Sequence, residues 1–168
     1  MNDVRIRPLT EVVWPQVHDL VVEVAMAGET YAMEVPESEQ ETRELWTSQH
    51  NVVALDGDRV LGSAKMGPNR PAQGAHVGTA SFMVAAAARG RGIGRALGEY
   101  AVSWLARNDF AAIQFNAVVS TNTAAIALWH SLGFETIGTV PTAFRLPGDS
   151  ATASYADLHV MYLGLSDR

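Results

Sequence analysis

Residues 81–97 read SFMVAAAARGRGIGRAL, in which an apolar strand ending at Val84 leads through a basic, glycine-rich turn into a helix. Because glycine has no Cβ, the backbone of such a turn approaches a ligand closely and directs successive N–H groups at one anion. The start of the helix adds a partial positive charge. Arg89, Arg91 and Arg95 add full charges. The stretch therefore predicts a cradle for a diphosphate.

The spacing of the glycines excludes two common phosphate-binding loops. A dinucleotide-binding G-x-G-x-x-G/A pattern that starts at Gly90 puts Arg95 where a small residue must pack the helix on the strand. A P-loop ends in Gly-Lys-Ser/Thr, and the only lysine of the chain is Lys65. Neither interpretation accounts for the turn.

The turn resembles the signature of a known superfamily. Arg89-x-x-Gly92-x-Gly94 is similar to the R/Q-x-x-G-x-G/A pattern of the GCN5-related N-acetyltransferases (GNAT), which holds the pyrophosphate of coenzyme A. About 30 residues later, 122–134 read NTAAIALWHSLGF and resemble the N-x-x-A-x-x-L-Y-x-x-L-G-F motif of the same superfamily. Asn122 suits a helix N-cap, Ala125 allows close approach, and Gly133 suits the end of the helix.

The resemblance implies the acyl-CoA N-acyltransferase fold, acetyl-CoA as co-substrate without a metal, and a set of site residues. The superfamily stabilises the oxyanion with a backbone N–H of the fourth strand, which falls here near Val84. The expected cofactor-binding residues are Phe82, Met83, Val84, Arg89, Gly90, Arg91, Gly92, Ile93, Gly94, Arg95, Asn122, Ala125 and Trp129.

One position departs from the superfamily pattern. Many members carry a tyrosine four residues before the motif glycine, proposed to protonate the leaving thiolate, and this chain has Trp129. An indole N–H donates a hydrogen bond but does not give up its proton, so Trp129 is expected to form the environment of the thiol without acting as an acid. His130 lies about 100° further round the helix and is expected on the surface.

Four residues are candidates for binding the acceptor. Glu29 and Tyr31 lie in a loop after the first helix, where a carboxylate beside an aromatic ring suits an ammonium group. Asn116 lies in the middle of a strand, where asparagine is uncommon, and His76 lies at a strand start. A structural role is an alternative for each. Together with residues 76–84 and Asn122, these positions are also similar to fungal acetyltransferases of proline analogues such as azetidine-2-carboxylate, although Gly78 and Thr79 depart from that pattern.

Element patterns predict a mixed α/β sheet with seven strands and four helices. Strands are expected at 4–7, 51–55, 60–66, 76–84, 112–119, 135–140 and 155–163, and helices at 15–28, 36–46, 92–108 and 122–132. The front half and the tail are antiparallel, and a strand–helix–strand crossover surrounds the glycine turn. The superfamily resemblance adds that the central parallel strands splay apart.

Composition limits the remaining possibilities. A chain of 168 residues with 48% hydrophobic residues is the size of one domain, expected over 1–168. With no cysteine, acyl-cysteine intermediates and thiolate metal sites are excluded. A net charge of −6 argues against nucleic acid as a partner. The N-terminus lacks a signal-type apolar segment, so we expect a cytoplasmic protein without membrane contact.

The sequence thus predicts an acetyl-CoA-dependent N-acetyltransferase of a small primary or secondary amine, working by direct transfer in a ternary complex. Acetylation of a protein N-terminus or of lysine is the alternative among enzymes. A coenzyme A-binding module without turnover is the alternative outside enzymes. A homodimer is compatible with the resemblance, and nothing in the sequence decides it.

Overall fold

The computed structural model describes residues 4–47, 50–148 and 152–165, which form one seven-stranded sheet with four α-helices. The strands are β1 (Arg5–Pro8), β2 (His50–Asp56), β3 (Arg59–Pro68), β4 (Val77–Val84), β5 (Ala112–Val119), β6 (Glu135–Arg145) and β7 (Tyr155–Gly164). The helices are α1 (Trp14–Ala27), α2 (Glu39–Trp46), α3 (Ile93–Arg107) and α4 (Thr123–Ser131). None of the helices in the described part of the chain combines the length and apolarity needed to cross a membrane.

The strand order is β1-β2-β3-β4-β5-β7-β6, and β4 and β5 are the one parallel pair among the strands of the described residues. Helix α3 connects these two strands, as a parallel crossover requires. The predicted mixed sheet is confirmed.

Strands β4 and β5 pair over a short distance and then separate. Their register runs only through Val77↔Ala112 and Gly78↔Ile113, although both strands continue to Val84 and Val119. The splayed central strands that the resemblance implied are therefore present. The gap beyond Gly78 leaves an edge of β4 open in the middle of the sheet.

Two hydrophobic cores cover the two faces of the sheet. On one face, α1 and α2 bury a cluster that includes Trp14, Val21 and Trp46 against Val53 and Met83. On the other face, α3 and α4 bury a second cluster, which includes Leu97, Leu105, Phe115, Trp129 and Phe134. The cleft between β4 and β5 thus lies between two independently packed faces.

Local sequence signals set most helix ends. Proline at position 15 lies in the first turn of α1, and Gly28 ends that helix with φ of +61°. Helix α2 begins at Glu39, three residues later than the predicted start at Pro36, because the Ser38 side chain accepts a hydrogen bond from the Glu41 N–H and so forms the N-cap.

Strand β6 is longer than the sequence indicates. The pattern predicts an end at Val140 because Pro141 lacks an N–H, but the strand continues to Arg145. As the edge strand of the sheet, β6 tolerates a proline. The irregularity that follows is held by Asp157, whose carboxylate accepts from the Thr142 N–H at 2.8 Å.

Candidate functional site

The turn between β4 and α3 has the open, glycine-dependent backbone that an anion site needs. Gly90 and Gly92 have φ of +76° and +79°, values that disfavour other residues, and a Cβ added at either would meet nothing within 4 Å. The Ala96 N–H donates to the Gly92 carbonyl at 3.0 Å. The N–H groups of residues 93–95 thus precede the first helical bond and stay available to an anion.

The three arginines of the turn have different roles. Arg89 is 3.7 Å from the Glu29 carboxylate, so it joins the turn to the loop after α1. Arg95 donates to Ser131 Oγ at 2.8 Å and thereby links α3 to α4. Arg91 forms an ion pair with Asp56 at 3.1 Å and does not line the cleft, unlike the other two. The sequence groups Arg91 with the cofactor residues, but the structure turns its side chain toward the β2–β3 hairpin.

A tyrosine from the first loop occupies part of the open edge of β4. The Tyr31 hydroxyl donates to the Phe82 carbonyl and accepts from the Phe82 N–H, both at 2.8 Å. These main-chain groups therefore point away from β3. Phe82 lies opposite Ala64 of β3, and the two residues form a pair without main-chain hydrogen bonds. Since main-chain groups alternate along an antiparallel strand, those of Val84 also face the gap, and those of Met83 face β3.

A cleft of about 1170 Å³ connects the turn to this edge. Of the expected cofactor residues, all except Arg91 line it. Asn122 caps α4 through a hydrogen bond from the Ala125 N–H at 3.3 Å, which puts both residues at the cleft wall. The backbone that would hold a diphosphate and the edge that would hold its acyl end are thus parts of one cavity.

Trp129 belongs to an aromatic cluster at the base of the cleft. Its ring centroid is 4.8 Å from that of Phe82 and 5.0 Å from that of Phe115. The side chain is buried and packs so closely on α3 that a Cβ at Gly98 would be 2.8 Å from it. His130 is exposed, and its Nδ1 lies 2.9 Å from the Phe134 carbonyl oxygen, as expected of a surface residue. The base of the cleft is therefore aromatic.

The acceptor candidates separate in the structure. Glu29, Tyr31 and Asn116 line the cleft, and His76 does not. Burial raises the pKa of Tyr31 to about 12, against hydrogen bonds from Phe82 and Ser81 that lower it. Its hydroxyl is therefore protonated at neutral pH and engaged with β4, so it positions the strand rather than acting as a base. Asn116 is exposed and bonds to Asn69 and Gln114.

Sequence reasoning missed two groups of residues that shape the site. Apolar side chains of β6, β7 and the segment after β6 line one side of the cleft: Phe144, Leu146, Pro147 and Leu158. The sequence pattern predicts only a connecting loop and a plain strand there, because Pro141 obscures the continuation of β6. In addition, Glu23 of α1 accepts from the Ala86 N–H at 2.7 Å and fixes the start of the turn. No local sequence pattern indicates this contact, because it joins residues 63 positions apart.

These features fit a diphosphate-bearing carrier. The open space at Gly90 and Gly92, the N–H groups of residues 93–95 and the continuous cleft provide an anion cradle with an adjoining channel. Gly94 would place a Cβ 3.5 Å from Leu128 and 4.0 Å from Val84, both at the cleft wall. A larger side chain there would narrow the channel.

Comparisons with known proteins agree with this geometry. The model of the acetyltransferase (GNAT) family matches residues 14–134. A GCN5-related N-acetyltransferase from Kribbella flavida is 50% identical, with a TM-score of 0.89 over 96% of this chain and 98% of that one. A GNAT superfamily phosphinothricin acetyltransferase from Sinorhizobium meliloti, solved in complex with AcCoA, is 24% identical, with a TM-score of 0.86 over 98% of this chain and 89% of that one.

A curated relative covers a smaller part of the chain. N-acetyltransferase aca1 from Schizosaccharomyces pombe is 33% identical over 101 residues, which are 60% of this chain and 47% of that protein. The chain thus matches about half the length of this relative.

Proposed function

Because the chain belongs to the acetyltransferase (GNAT) family, we propose that it is an acetyl-CoA-dependent N-acetyltransferase of a small-molecule primary or secondary amine. Transfer is direct and takes place in a ternary complex. The observation that carries the proposal is that the N–H groups before the first helical bond of α3 line the same cleft as the open edge of β4.

The turn and the two helices hold the carrier. The N–H groups of residues 93–95 and the side chain of Arg89 bind the diphosphate, and Asn122 and Ala125 form the opposite wall. When Arg89 engages the diphosphate, it shares its charge with Glu29, which lies 3.7 Å away. Acetyl-CoA supplies an acetyl thioester at the end of its pantetheine arm.

The open edge of β4 orients the acetyl group. The N–H of Val84, on the same edge as that of Phe82, donates to the carbonyl oxygen on which negative charge develops. Tyr31 occupies the neighbouring main-chain groups of Phe82, so Val84 is the next position of β4 along this edge. Holding the amine and the thioester together contributes about 7–11 kcal/mol to lowering the barrier.

The proton balance needs no tyrosine at position 129. The amine nitrogen forms a bond to the acetyl carbon, the carbon–sulfur bond breaks, and the amine loses a proton. A free thiol has a pKa near 8.5, so the thiolate leaves readily and takes up a proton from the amine or from water. Trp129 shields the sulfur without donating a proton. Direct transfer also agrees with the absence of cysteine from the sequence.

Release of free thiol from acetyl-CoA tests this proposal. We expect release that depends on added small amines and saturates with them, and an acetylated amine as product by mass spectrometry. Protein N-termini and lysine peptides form a second arm, and faster transfer to them would favour the protein-modifying alternative. Bound acetyl-CoA without thiol release for any amine would support the non-catalytic module.

A cytoplasmic location, one domain over 1–168 and a homodimer remain predictions.

A further inference from the structure

The cleft has two halves of different character. One half lies between the turn at 89–95 and α4, and it is the carrier half. The other, which we call the acceptor half, lies toward α1 and is formed by Val24, Glu29, Tyr31, Phe144, Leu146 and Leu158. The two loops of the acceptor half meet, since a Cβ at Gly28 would be 4.0 Å from Pro147 Cβ.

The charges of the cleft are distributed unevenly. Among the described residues that line it, the ionised side chains are Glu29, Arg89 and Arg95. Both arginines belong to the turn, where Arg95 is bound to Ser131 and Arg89 faces Glu29. Glu29 is therefore the only charged side chain among the described residues of the acceptor half, and Arg89 of the turn lies 3.7 Å from it.

The walls of the acceptor half are apolar where the acceptor body would lie. Phe144 is buried, and it is packed by Leu146 from the segment after β6 and by Leu158 from β7. Polar contact comes from the hydroxyls of Thr30, Ser81 and Ser154 and from the exposed amide of Asn116. A substituent held here meets hydrocarbon, and an ammonium meets the carboxylate of Glu29.

Resting on the proposed function, we propose that the acceptor is an amine on an apolar body that carries no carboxylate beside its nitrogen. A carboxylate in this half would lose its water and lie near Glu29, and the one cation of the described lining beside Glu29 is Arg89, which binds the diphosphate in the proposed function. Each of these effects opposes binding. Phosphinothricin and proline analogues carry such a carboxylate. The acceptor thus differs from the substrates that the fold relatives and the fungal similarity suggest.

Matched pairs of acceptors test this inference. Phenethylamine with phenylalanine, and pyrrolidine with proline, differ only in the carboxylate, and phenylalaninamide keeps the size of phenylalanine without the charge. We expect kcat/KM to be about 10- to 100-fold higher for each amine than for its amino acid, with the amide close to the amine. Amino acids that match or exceed their amines would overturn the inference.

A charge placed in the acceptor half provides the converse test. Leu158→Arg introduces a cation at the wall, and Leu158→Met is the matched control without charge. We expect Leu158→Arg to shift the phenethylamine-to-phenylalanine ratio toward the amino acid by about tenfold, and Leu158→Met to leave it unchanged. If Leu158→Arg lowers the melting temperature strongly, Leu146→Arg introduces the cation at a second position of the wall. An unchanged ratio in a folded arginine variant contradicts the inference.

Binding separates failure of this inference from failure of the proposed function. If no acceptor causes release of thiol from acetyl-CoA, NMR still compares how well the members of each pair bind. The measurement is the line broadening of each acceptor's signals in the presence of the protein and coenzyme A. Binding of the amines alone then supports the inference, although catalysis fails. Binding of the amino acids, or of neither member of a pair, overturns it. If acetyl transfer to peptides is faster than transfer to every small amine, only the proposal of a small-molecule acceptor is overturned.

Discussion

At the scale of single residues, the proposed mechanism gives Trp129 no role as a proton donor to the leaving thiolate. The indole is buried in a cluster with Phe82, Phe115 and Phe134, and its N–H does not titrate. In the proposed mechanism, catalysis depends on the positioning of the reactants and on the Val84 N–H rather than on a side-chain acid. The substitution of this residue measures how much catalysis rests on proton donation.

Trp129→Phe keeps an aromatic ring and removes the N–H. Loss of a general acid lowers the rate by about 10²–10⁴-fold. We expect kcat of this variant, measured by thiol release, to fall by less than about 100-fold, because no proton donor is removed. The melting temperature serves as the folding control. A loss above about 1000-fold in a folded protein would make position 129 a proton donor after all.

Tyr31 makes a second residue-scale prediction, through its pKa of about 12 against an ordinary 10.0. The raised pKa means that the unfolded chain releases this proton first as the pH rises. The hydroxyl's contribution to the free energy of unfolding is therefore complete below pH 10 and lost progressively between pH 10 and 12.

Urea unfolding of wild type and Tyr31→Phe at several pH values checks this. The wild type is expected to be more stable by about 1–3 kcal/mol at pH 8, because Phe82 loses two hydrogen bonds in the variant. The difference should shrink above pH 10. A difference that stays constant up to pH 12 would show that the hydroxyl is not held as described.

At the scale of elements, the turn between β4 and α3 depends on space at Gly94. A Cβ there meets Leu128 at 3.5 Å, an ordinary contact, whereas valine adds two further methyl groups at a position that lines the cleft. We expect Gly94→Val to weaken acetyl-CoA binding by about 10- to 100-fold, since overpacking costs about 1–3 kcal/mol.

Gly94→Ala is the matched control for this substitution. It adds a methyl group within α3 and should fold at least as well as wild type, because alanine favours helix over glycine by about 0.5–1 kcal/mol. Calorimetric titration compares the three proteins. Equal affinities for Gly94→Val and Gly94→Ala would remove Gly94 from the carrier site.

The packing of α3 on α4 makes a further prediction at this scale. A Cβ at Gly98 would be 2.8 Å from Trp129 and 3.1 Å from Leu132, so these side chains or the two helices must shift. We expect Gly98→Ala to lower the free energy of unfolding by about 1–2 kcal/mol. This value is the cost of overpacking minus the gain in helix propensity from replacing glycine by alanine.

Gly138→Ala provides the comparison for the packing test. A Cβ at Gly138 on β6 meets nothing within 4 Å, and this variant should stay within about 0.5 kcal/mol of wild type. Chemical denaturation measures both variants. Equal stability of the two would mean that α3 and α4 have room to accommodate the methyl group.

At the scale of the whole molecule, the sequence predicted the sheet and the glycine-rich turn because their signals are local. The positive φ of Gly90 and Gly92 and the caps at Asn122 and Gly28 are each readable from neighbouring residues. The acceptor half is different, since Tyr31 and Phe82 are 51 residues apart and meet only in the folded chain.

The same limit explains why sequence patterns did not show the ion pair of Arg91 or the residues that they missed. Arg91 resembles its neighbours in the turn. Its ion pair with Asp56, 35 residues earlier in the chain, directs its side chain away from the cleft. The continuation of β6 past Pro141 depends on Asp157 in β7, which bonds to the Thr142 N–H, and on the position of β6 at the sheet edge. Pairing across the fold decides such cases, and a single sequence does not reveal it.

The central claim is that main-chain groups around residues 89–95 bind the diphosphate of acetyl-CoA. Calorimetric titration of the wild-type protein tests it most directly, with acetyl-CoA, with its 3′-dephospho form, which keeps the diphosphate, and with acetyl-pantetheine, which lacks the diphosphate and the adenosine 3′-phosphate. We predict one site for acetyl-CoA and at least about 100-fold weaker binding of acetyl-pantetheine than of either compound that carries the diphosphate, since several charge-assisted hydrogen bonds are lost. Equal affinity for acetyl-pantetheine and the 3′-dephospho form, or no heat of binding with acetyl-CoA, would contradict this account.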